Sequence, residues 1–349
     1  MKPQSPTVCT RDNPVPSTID QLLDAEWLAD ALDDVVEDET ITRIEQVDRT
    51  ETLASKVRIA VTVQDPQGRS RTQHYCVKAH LNEGPETLLT EAHVYRELRP
   101  RLDIRSPRAH YTGIDETTGR ALIIMDDVEA MGGRFLDAHQ PYSAATCEQT
   151  LAQLARLHAA TWGDQGWQVD WLSSRLAMTA GLFPADALQG LLDDGRGADV
   201  PAELLDSERL INAVAKIAEL PAICVIHGDT HSGNVYLDRA GKPGWLDWQV
   251  AQRGHWSTDV SYHLATALDI ADRRAHERDL LSGYLAELAG HGVEPPTWDE
   301  AWEHYTLGFS WGFLLWTITR ISSRQIVLIH MPRLGAALAD HDTWNRLGV

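Results

Sequence analysis

Alternating apolar and polar residues predict β-strands in the first third of the chain. The clearest pattern covers residues 56–63, where Val57, Ile59, Val61 and Val63 share one face. Four further segments have strand-like patterns: residues 41–47, 74–80, 108–113 and 121–125. Short polar connections separate the first three strands, which favours an antiparallel meander.

Helical periodicity dominates most of the remaining chain. Apolar residues three and four positions apart predict helices over residues 18–32, 85–98, 144–162 and 260–268. Ser17 is the predicted N-cap of the first helix. Residues 163–220 predict inserted helices without a recognisable motif, and residues 272–349 predict further helices. Residues 1–16 are polar and contain four prolines, so we expect a disordered or loosely attached tail.

Short apolar runs and polar loop residues alternate in the stretch 223–249. The apolar run 223–226 predicts a short buried strand, which a polar loop punctuated by glycine follows. Residues 235–238 and 244–247 predict two more strands, and the Gly/Pro-rich residues between them predict a hairpin turn.

Three polar side chains fall at the ends of these predicted strands: Asp229, Asn234 and Asp247. Two carboxylates and an amide suit the hard Mg²⁺ ion, and one carboxylate would remain to accept a proton. One alternative is a polar surface loop in which these residues only form turns. Another is a metallohydrolase whose ligands are His227, Asp229 and His231, because zinc sites favour such clusters.

A lysine in an apolar strand predicts an ion pair. Lys78 lies within 74–80 among Cys, Val and Ala residues, where burying it without a partner would be costly. Glu91 falls in the apolar stripe of the next helix with Tyr95 and Leu98, so it faces inward and needs a cation. We therefore expect Lys78 and Glu91 to pair; the alternative is an ordinary surface pair.

Charge and cysteine content narrow the class of protein. The net charge of −20 disfavours nucleic acid and anionic membranes as main partners. The four cysteines are scattered without metal-binding spacing, which favours reduced thiols and a cytoplasmic protein. The N-terminus has no apolar signal core, and the most apolar stretch, 307–318, is too short to span a bilayer. We expect a monomer or a homodimer.

Two motifs resemble those of a known superfamily. Residues 227–234 read His-Gly-Asp-Thr-His-Ser-Gly-Asn, and residues 247–249 read Asp-Trp-Gln. This order resembles the aminoglycoside phosphotransferase and choline kinase superfamily, and it looks most similar to the ecdysteroid-kinase-like branch. The resemblance implies an α+β, protein-kinase-like bilobal fold. A small antiparallel lobe with one main helix would cover 1–127, and a larger, mostly helical lobe would cover 128–349.

The resemblance also implies an activity, the transfer of the γ-phosphate of ATP to a hydroxyl of a small molecule, with Mg²⁺ as cofactor and GTP as the other candidate donor. Asp229 would be the catalytic base, with His227 and Asn234 beside it, and Asn234 and Asp247 would hold the metal. His231 and Asp259 would shape the loop without taking part in the chemistry, and Asp259 would brace it. Nucleotide-binding candidates are Lys78, Glu91, Ser55, Cys76, Asp126 and Val128.

The chain departs from the kinase pattern at the predicted loop 48–55. Kinases usually have glycines there, whereas this chain offers Thr50, Thr52 and Ser55. Its glycine-free composition motivates a second hypothesis, a catalytically silent nucleotide-binding protein of the same fold. The resemblance makes 126–128 the hinge between lobes. Aromatic residues of the C-terminal helices predict core packing, and any that line a cleft would favour an acceptor with an apolar body.

Overall fold

The computed structural model describes residues 14–36, 38–51, 54–84, 86–140, 142–163 and 169–349, excepting the side chains of residues 34, 35 and 86. These residues form two compact units. The first unit comprises the chain up to Arg101 together with Ser106–Arg134, and the second comprises Leu102–Arg105 together with Phe135–Val349. The lobe boundary between residues 127 and 128 stays a prediction.

A five-stranded antiparallel sheet forms the centre of the first unit. Its strands are β1 (Thr40–Glu51), β2 (Ser55–Gln64), β3 (Ser70–His80), β4 (Ala109–Asp115) and β5 (Arg120–Asp126). The spatial order is β1-β2-β3-β5-β4, so the meander continues through β3 and then pairs with a second hairpin. Val57, Ile59, Val61 and Val63 are all buried in one core cluster, as their alternation predicts.

The first hairpin corrects the loop predicted over residues 48–55. β1 continues to Glu51, and Asp48, Arg49 and Thr50 pair with β2. β1 ends at Glu51 and β2 begins at Ser55, whereas Thr52 and residue 53 lie outside the described residues. The strand can continue through polar residues because β1 is an edge strand whose side chains here are exposed to water. The predicted eight-residue loop is therefore wrong.

The N-terminal segment packs more closely than expected. Val15 is fully buried in the core cluster, so the prediction of a loose tail is wrong for residues 14–16, whereas residues 1–13 lie outside the described part. The single helix predicted over 18–32 is also wrong. The structure has α1 (Ile19–Leu22), α2 (Ala25–Ala31) and α3 (Asp33–Val36).

Local hydrogen bonds explain this division into short helices. Thr18, not Ser17, is the N-cap of α1, because its side chain accepts from the amide of Gln21. Asp24 then starts α2 by accepting from the amides of Glu26 and Trp27. An aspartate at an N-cap favours a new helix start over continuation of the preceding helix.

The helix predicted over 85–98 is present in place but not as one regular α-helix. A 3₁₀ turn at Glu86–Leu89 leads into α4 (Thr90–His93), a π-turn at Val94–Leu98 and a second 3₁₀ turn at Arg99–Arg101; residue 85 lies outside the described residues. Glu91, Tyr95 and Leu98 are nevertheless all buried, as the apolar stripe predicts.

The second unit is mostly helical and also contains short strands. Its helices are α5 (Ala144–Ala160), α6 (Leu176–Gly181), α7 (Ala185–Leu191), α8 (Ser207–Ile217), α9 (Trp256–Ala267), α10 (Ile270–Gly290), α11 (Trp298–Leu307), α12 (Ser310–Ile318), α13 (Arg324–Asp340) and α14 (Thr343–Leu347). After β6 (Arg134–Phe135), the strands are β7 (Cys224–Ile226), β8 (Val235–Leu237), β9 (Pro243–Trp245) and β10 (Gln252–Gly254).

Three sequence predictions concern the start of a helix, a membrane span and the cysteine thiols. α9 begins at Trp256 rather than at residue 260, because the apolar pattern cannot mark the start of a helix that is buried on every side. None of the helices in the described ranges combines the length and apolar character needed to cross a membrane. Cys76, Cys147 and Cys224 are free thiols, and Cys9 lies outside the described residues.

An ionic network joins α10 to the C-terminal helices. The Glu277 carboxylate accepts from Arg273 at 2.7 Å, from the Tyr305 hydroxyl at 2.9 Å and from His341 at 3.2 Å. Arg273 is almost fully buried and also pairs with Asp340. Burial would raise the pKa of Glu277, but the hydrogen bond and charge of His341 and Arg273 outweigh it and hold this pKa below 4.5.

We expect Glu277→Gln to lower the free energy of unfolding by about 2 kcal/mol at pH 7, because it removes hydrogen bonds to a charged group. The folded pKa is depressed, so this stabilisation is complete above the unfolded value and is lost as pH falls through the folded one. The gap to wild type should therefore narrow below about pH 4.5. Urea denaturation at several pH values measures both effects, with the half-exposed Glu287→Gln as a control that changes neither. A gap that stays constant down to pH 3 would contradict this account.

Candidate active site

In the first unit, Lys78 and Glu91 form a buried ion pair. The Lys78 ammonium lies 2.5 Å from the Glu91 carboxylate, and only 6% and 3% of the two side chains are exposed. β3 holds Lys78 between β2 and β5, opposite Lys56 and Ile123. The structure therefore contains the pair that strand alternation and helix periodicity predict.

The other nucleotide-binding candidates have varied environments. Cys76 lies on the Lys78 face of β3, where burial raises the pKa of its thiol to about 11. The Ser55 hydroxyl donates to Glu51 at 2.6 Å. Asp126 accepts from His110 at 2.7 Å, and Val128 is buried. None of these contacts by itself indicates a nucleotide.

An ion pair that the sequence pattern does not predict lies beside these residues. Arg58 in β2 donates to the buried Asp127 at 2.8 Å and also pairs with Glu129. Asp127 in turn accepts from the backbone amides of Glu129 and Ala130, at 3.1 and 3.2 Å. This pair fixes the segment that follows β5 against the sheet. Period-two alternation alone could not identify the partner, which lies 69 residues away.

In the second unit, the polar loop after β7 is held by Asp259. Its two carboxylate oxygens accept from the backbone amides of His227 at 2.7 Å and Gly228 at 2.8 Å. The Thr230 hydroxyl donates to the Asp259 carbonyl at 2.9 Å, and His158 lies 3.1 Å from the carboxylate. All of this is buried, and it provides the backbone hydrogen bonds that the resemblance implies for Asp259.

Gly228 is required by the shape of the loop. Its φ is +81°, and a Cβ atom at this position would lie 2.4 Å from the carbonyl oxygen of Val250. Only glycine avoids both the left-handed strain and this close approach. The turn places Asp229 directly after the braced amides.

His227 organises the loop from within. The ring is fully buried against Trp245 and Trp248. Nε2 donates to the carbonyl of Leu246 at 3.0 Å, whereas Nδ1 accepts from the amide of Asp229 at 3.3 Å. Burial lowers the pKa of His227, so a neutral ring with the proton on Nε2 fits both contacts. Both ring nitrogens serve the loop.

Asp229 has each carboxylate oxygen in a hydrogen bond. The Tyr262 hydroxyl donates to Oδ1 at 3.0 Å, and the Asn234 amide donates to Oδ2 at 3.1 Å. His231 Nε2 lies 3.6 Å from Oδ2. The Asp229 side chain remains 15% exposed, so the carboxylate is held in place and still reachable from solvent.

Asn234 and Asp247 lie on adjoining positions of the β8–β9 hairpin. The amide of Leu246 donates to the carbonyl of Asn234 at 3.1 Å, and Asp247 follows directly with a left-handed φ of 65°. The Asn234 side-chain nitrogen donates to the carbonyl and the carboxylate of Asp229. Its amide oxygen takes part in neither bond, and amide and carboxylate oxygens are donors that Mg²⁺ prefers, so the side-chain chemistry of Asn234 and Asp247 fits this ion.

The metallohydrolase alternative is not supported by the geometry. Within the described ranges there is no group of three or more His, Cys, Asp or Glu side chains arranged to hold a metal ion. Both nitrogens of His227 already have partners, and His231 Nδ1 accepts from the amide of Gly233 at 3.0 Å. These histidines shape the loop.

α12 contacts the back of the loop. The Trp311 indole N–H donates to the carbonyl of Gly228 at 2.6 Å, and the Trp316 ring packs edge-on against His231. Phe309 and Phe313 are fully buried. The aromatic C-terminal segment is therefore core, as predicted, but Trp311 and Tyr262 also bind the loop, which sequence analysis did not identify.

Comparisons with known proteins bear on the family and the fold. The family model described as the phosphotransferase enzyme family matches residues 60–301. No curated protein sequence matches the chain. Among solved structures, ethanolamine kinase from Plasmodium vivax is 13% identical, with a TM-score of 0.52 over 89% of this chain and 87% of that one. A choline kinase from Streptococcus pneumoniae is also 13% identical, with a TM-score of 0.47 over 90% and 98% of the two chains.

The family match covers more than half of the chain, and the likeness to the ethanolamine kinase shows the fold. The α+β, protein-kinase-like fold and the superfamily are thereby confirmed, whereas the ecdysteroid-kinase-like branch stays a prediction. The chain belongs to the phosphotransferase enzyme family, and it is therefore a phosphotransferase.

Proposed function

We propose that this protein transfers the γ-phosphate of ATP to a hydroxyl of a small-molecule acceptor, with Asp229 as the catalytic base. The observation that carries the proposal is the Asp229 carboxylate, which is oriented by two hydrogen bonds and remains partly exposed. A carboxylate held in this way can orient the acceptor hydroxyl and accept its proton. GTP is the other candidate donor.

In this mechanism, Asn234 and Asp247 would hold Mg²⁺, which when bound would offset negative charge on the phosphates. The left-handed backbone at Asp247 supports this role, because strained conformations of non-glycine residues cluster at functional sites. Asp259 and His227 keep the loop in shape through the contacts described above. The protein contributes mainly positioning and electrostatics, as in other phosphoryl transfers.

We assign Lys78, steadied by Glu91, to the phosphates of the nucleotide. A lysine that is 6% exposed must have a carboxylate partner, and that partner also fixes the direction of the ammonium group. Ser55, Cys76, Asp126 and Val128 stay candidates for nucleotide contacts. We also retain a cytoplasmic location as a proposal.

The acceptor class is the least constrained part of the proposal. The many aromatic residues of the C-terminal helices favour an alcohol with an apolar body over a sugar polycation; the Trp316 ring itself is buried against His231. This preference is compatible with the ecdysteroid-kinase-like branch. A screen of sterol-like, acyl and aromatic alcohols against an aminoglycoside would distinguish the two acceptor classes.

A thermal-shift titration tests the donor and the metal. We expect Mg²⁺–ATP or Mg²⁺–GTP to raise the melting temperature, equivalent to about 2.7 kcal/mol of stabilisation at a hundred times the dissociation constant. Asp247→Ala should remove the metal-dependent part of the shift. Asp279→Ala is the matched control, because it removes an exposed aspartate of α10.

Two outcomes would count against this proposal. No shift with any nucleotide at millimolar concentration would contradict nucleotide binding altogether. A shift without hydrolysis or transfer to any alcohol would favour the alternative, a catalytically silent nucleotide-binding protein. The short connection between β1 and β2, which has no glycine, keeps that alternative open.

A further inference from the structure

α9 presents two side chains to the polar loop from successive turns. Asp259 accepts from the loop backbone, and Tyr262, three residues later, donates to the Asp229 carboxylate. Residues three apart lie on the same face of a helix, so one buried helix face serves both the main chain and the reactive side chain of the loop. Tyr262 is 1% exposed.

α12 is shaped to admit the Tyr262 ring. A Cβ atom on Gly312 would lie 2.4 Å from a ring carbon of Tyr262, far inside van der Waals contact. The neighbouring Trp311 donates to the carbonyl of Gly228, so this part of α12 is fixed against the loop. The glycine therefore provides the space in which the phenol reaches Asp229.

The Tyr262 hydroxyl keeps its proton in this environment, so it can donate a hydrogen bond at any ordinary pH. Burial raises the pKa of Tyr262 well above its usual range, and the adjacent Asp229 charge adds to the effect. Tyr262 holds Oδ1 of Asp229 while Asn234 holds Oδ2. With both oxygens restrained, the carboxylate plane cannot rotate freely, and its remaining lone pairs have fixed directions.

We propose that Tyr262 is a positioning residue for Asp229, and that Gly312 is the residue that makes room for it. The hydrogen bond to Oδ1 sets the orientation in which the carboxylate meets the acceptor hydroxyl. This inference rests on the proposed function, because it assigns Tyr262 a role only if Asp229 is the base. Misplacement of a catalytic group by about 1 Å can lower the rate about 100-fold.

Tyr262→Phe tests the proposal, because it removes only the hydroxyl. We measure hydrolysis of Mg²⁺–ATP, and transfer to any alcohol that the acceptor screen identifies. We expect kcat to fall about 10- to 100-fold, with the KM for nucleotide and the nucleotide-dependent thermal shift unchanged. Tyr305→Phe is the matched control: it removes another buried phenol, which donates to Glu277, and should leave kcat within about twofold of wild type.

Gly312→Ala disturbs the same hydrogen bond, between Tyr262 and Asp229, from the side of α12. It keeps the phenol but displaces the ring, so kcat should again fall while nucleotide binding persists. In the double variant, the loss should be smaller than the product of the two single losses, because both act on one hydrogen bond. If Tyr262→Phe proves too unstable to assay, the single variant Gly312→Ala tests the positioning role on its own.

Failure of the proposed function and failure of the positioning role alone give different results. A wild-type protein that neither hydrolyses nor transfers phosphate contradicts the proposed function, and the role of Tyr262 with it. An active wild type with an equally active Tyr262→Phe overturns the positioning role alone. The positioning role is also overturned if Tyr262→Phe changes KM alone, or if Tyr305→Phe lowers kcat by as much as Tyr262→Phe does.

Discussion

Asp229→Asn is expected to lower the turnover number about 1,000-fold while nucleotide binding survives. A general base contributes about 10²- to 10⁴-fold, and the amide is nearly isosteric with the carboxylate but cannot accept the proton. A 1,000-fold loss corresponds to about 4 kcal/mol of transition-state stabilisation. The effect should lie in kcat, because Asp229 belongs to the second unit, whereas Lys78 and Glu91, the residues proposed to serve the nucleotide, belong to the first.

The measurement pairs steady-state kinetics with the Mg²⁺–nucleotide thermal shift on the same preparation. Asp279→Asn makes the same chemical change at an exposed site and should leave both readouts unchanged. Turnover within tenfold of wild type would exclude Asp229 as the base. Loss of the thermal shift together with turnover would instead indicate that the loop had collapsed.

The polar loop could be predicted from sequence because its chemistry depends on residue identity and local spacing. Gly228 is needed for a left-handed turn, and Asp229 and Asn234 are five residues apart on one loop. The hairpin that carries Asp247 is marked by its Gly/Pro-rich turn. These features can be identified from sequence without knowing which distant residues are in contact.

The contacts behind the loop could not be predicted, since each joins residues far apart in sequence. Tyr262 meets Asp229 across 33 positions, and Trp311 meets Gly228 across 83. Apolar periodicity marks both aromatic residues as buried but does not say what a phenol or indole hydrogen atom contacts. α9 is buried throughout, so its pattern revealed neither its start nor the face that carries Tyr262.

The wrong predictions of secondary structure in the first unit have a different physical origin. Thr50 and its neighbours look like loop residues because they are polar, yet an edge strand tolerates polar side chains on both faces. Around Asp24, a single side chain that accepts two amides outweighs a continuous apolar stripe. Burial of Lys78 and Glu91 was predictable, because an ionisable residue in an apolar pattern must have a partner.

Asp259→Ala is expected to cost about 4 kcal/mol of stability and to abolish turnover. It would leave the amides of His227 and Gly228 buried without an acceptor, at about 1–3 kcal/mol each, and would remove the contact of His158. Urea denaturation measures the cost, and amide hydrogen exchange at residues 227–228 measures the opening of the loop.

The matched control for Asp259 is Asp269→Ala. Asp269 also accepts a backbone amide at the start of a helix, at 2.8 Å from Asp272, as the N-cap of α10, and its charge acts on Arg333. Its loss should cost about 1 kcal/mol and leave exchange at residues 227–228 unchanged. If Asp259→Ala behaved like this control, Asp259 would be an ordinary helix-start residue. Faster exchange at 227–228 in Asp259→Ala alone would instead show that the Asp229 loop owes its shape to one buried carboxylate, which is what a base of fixed orientation requires.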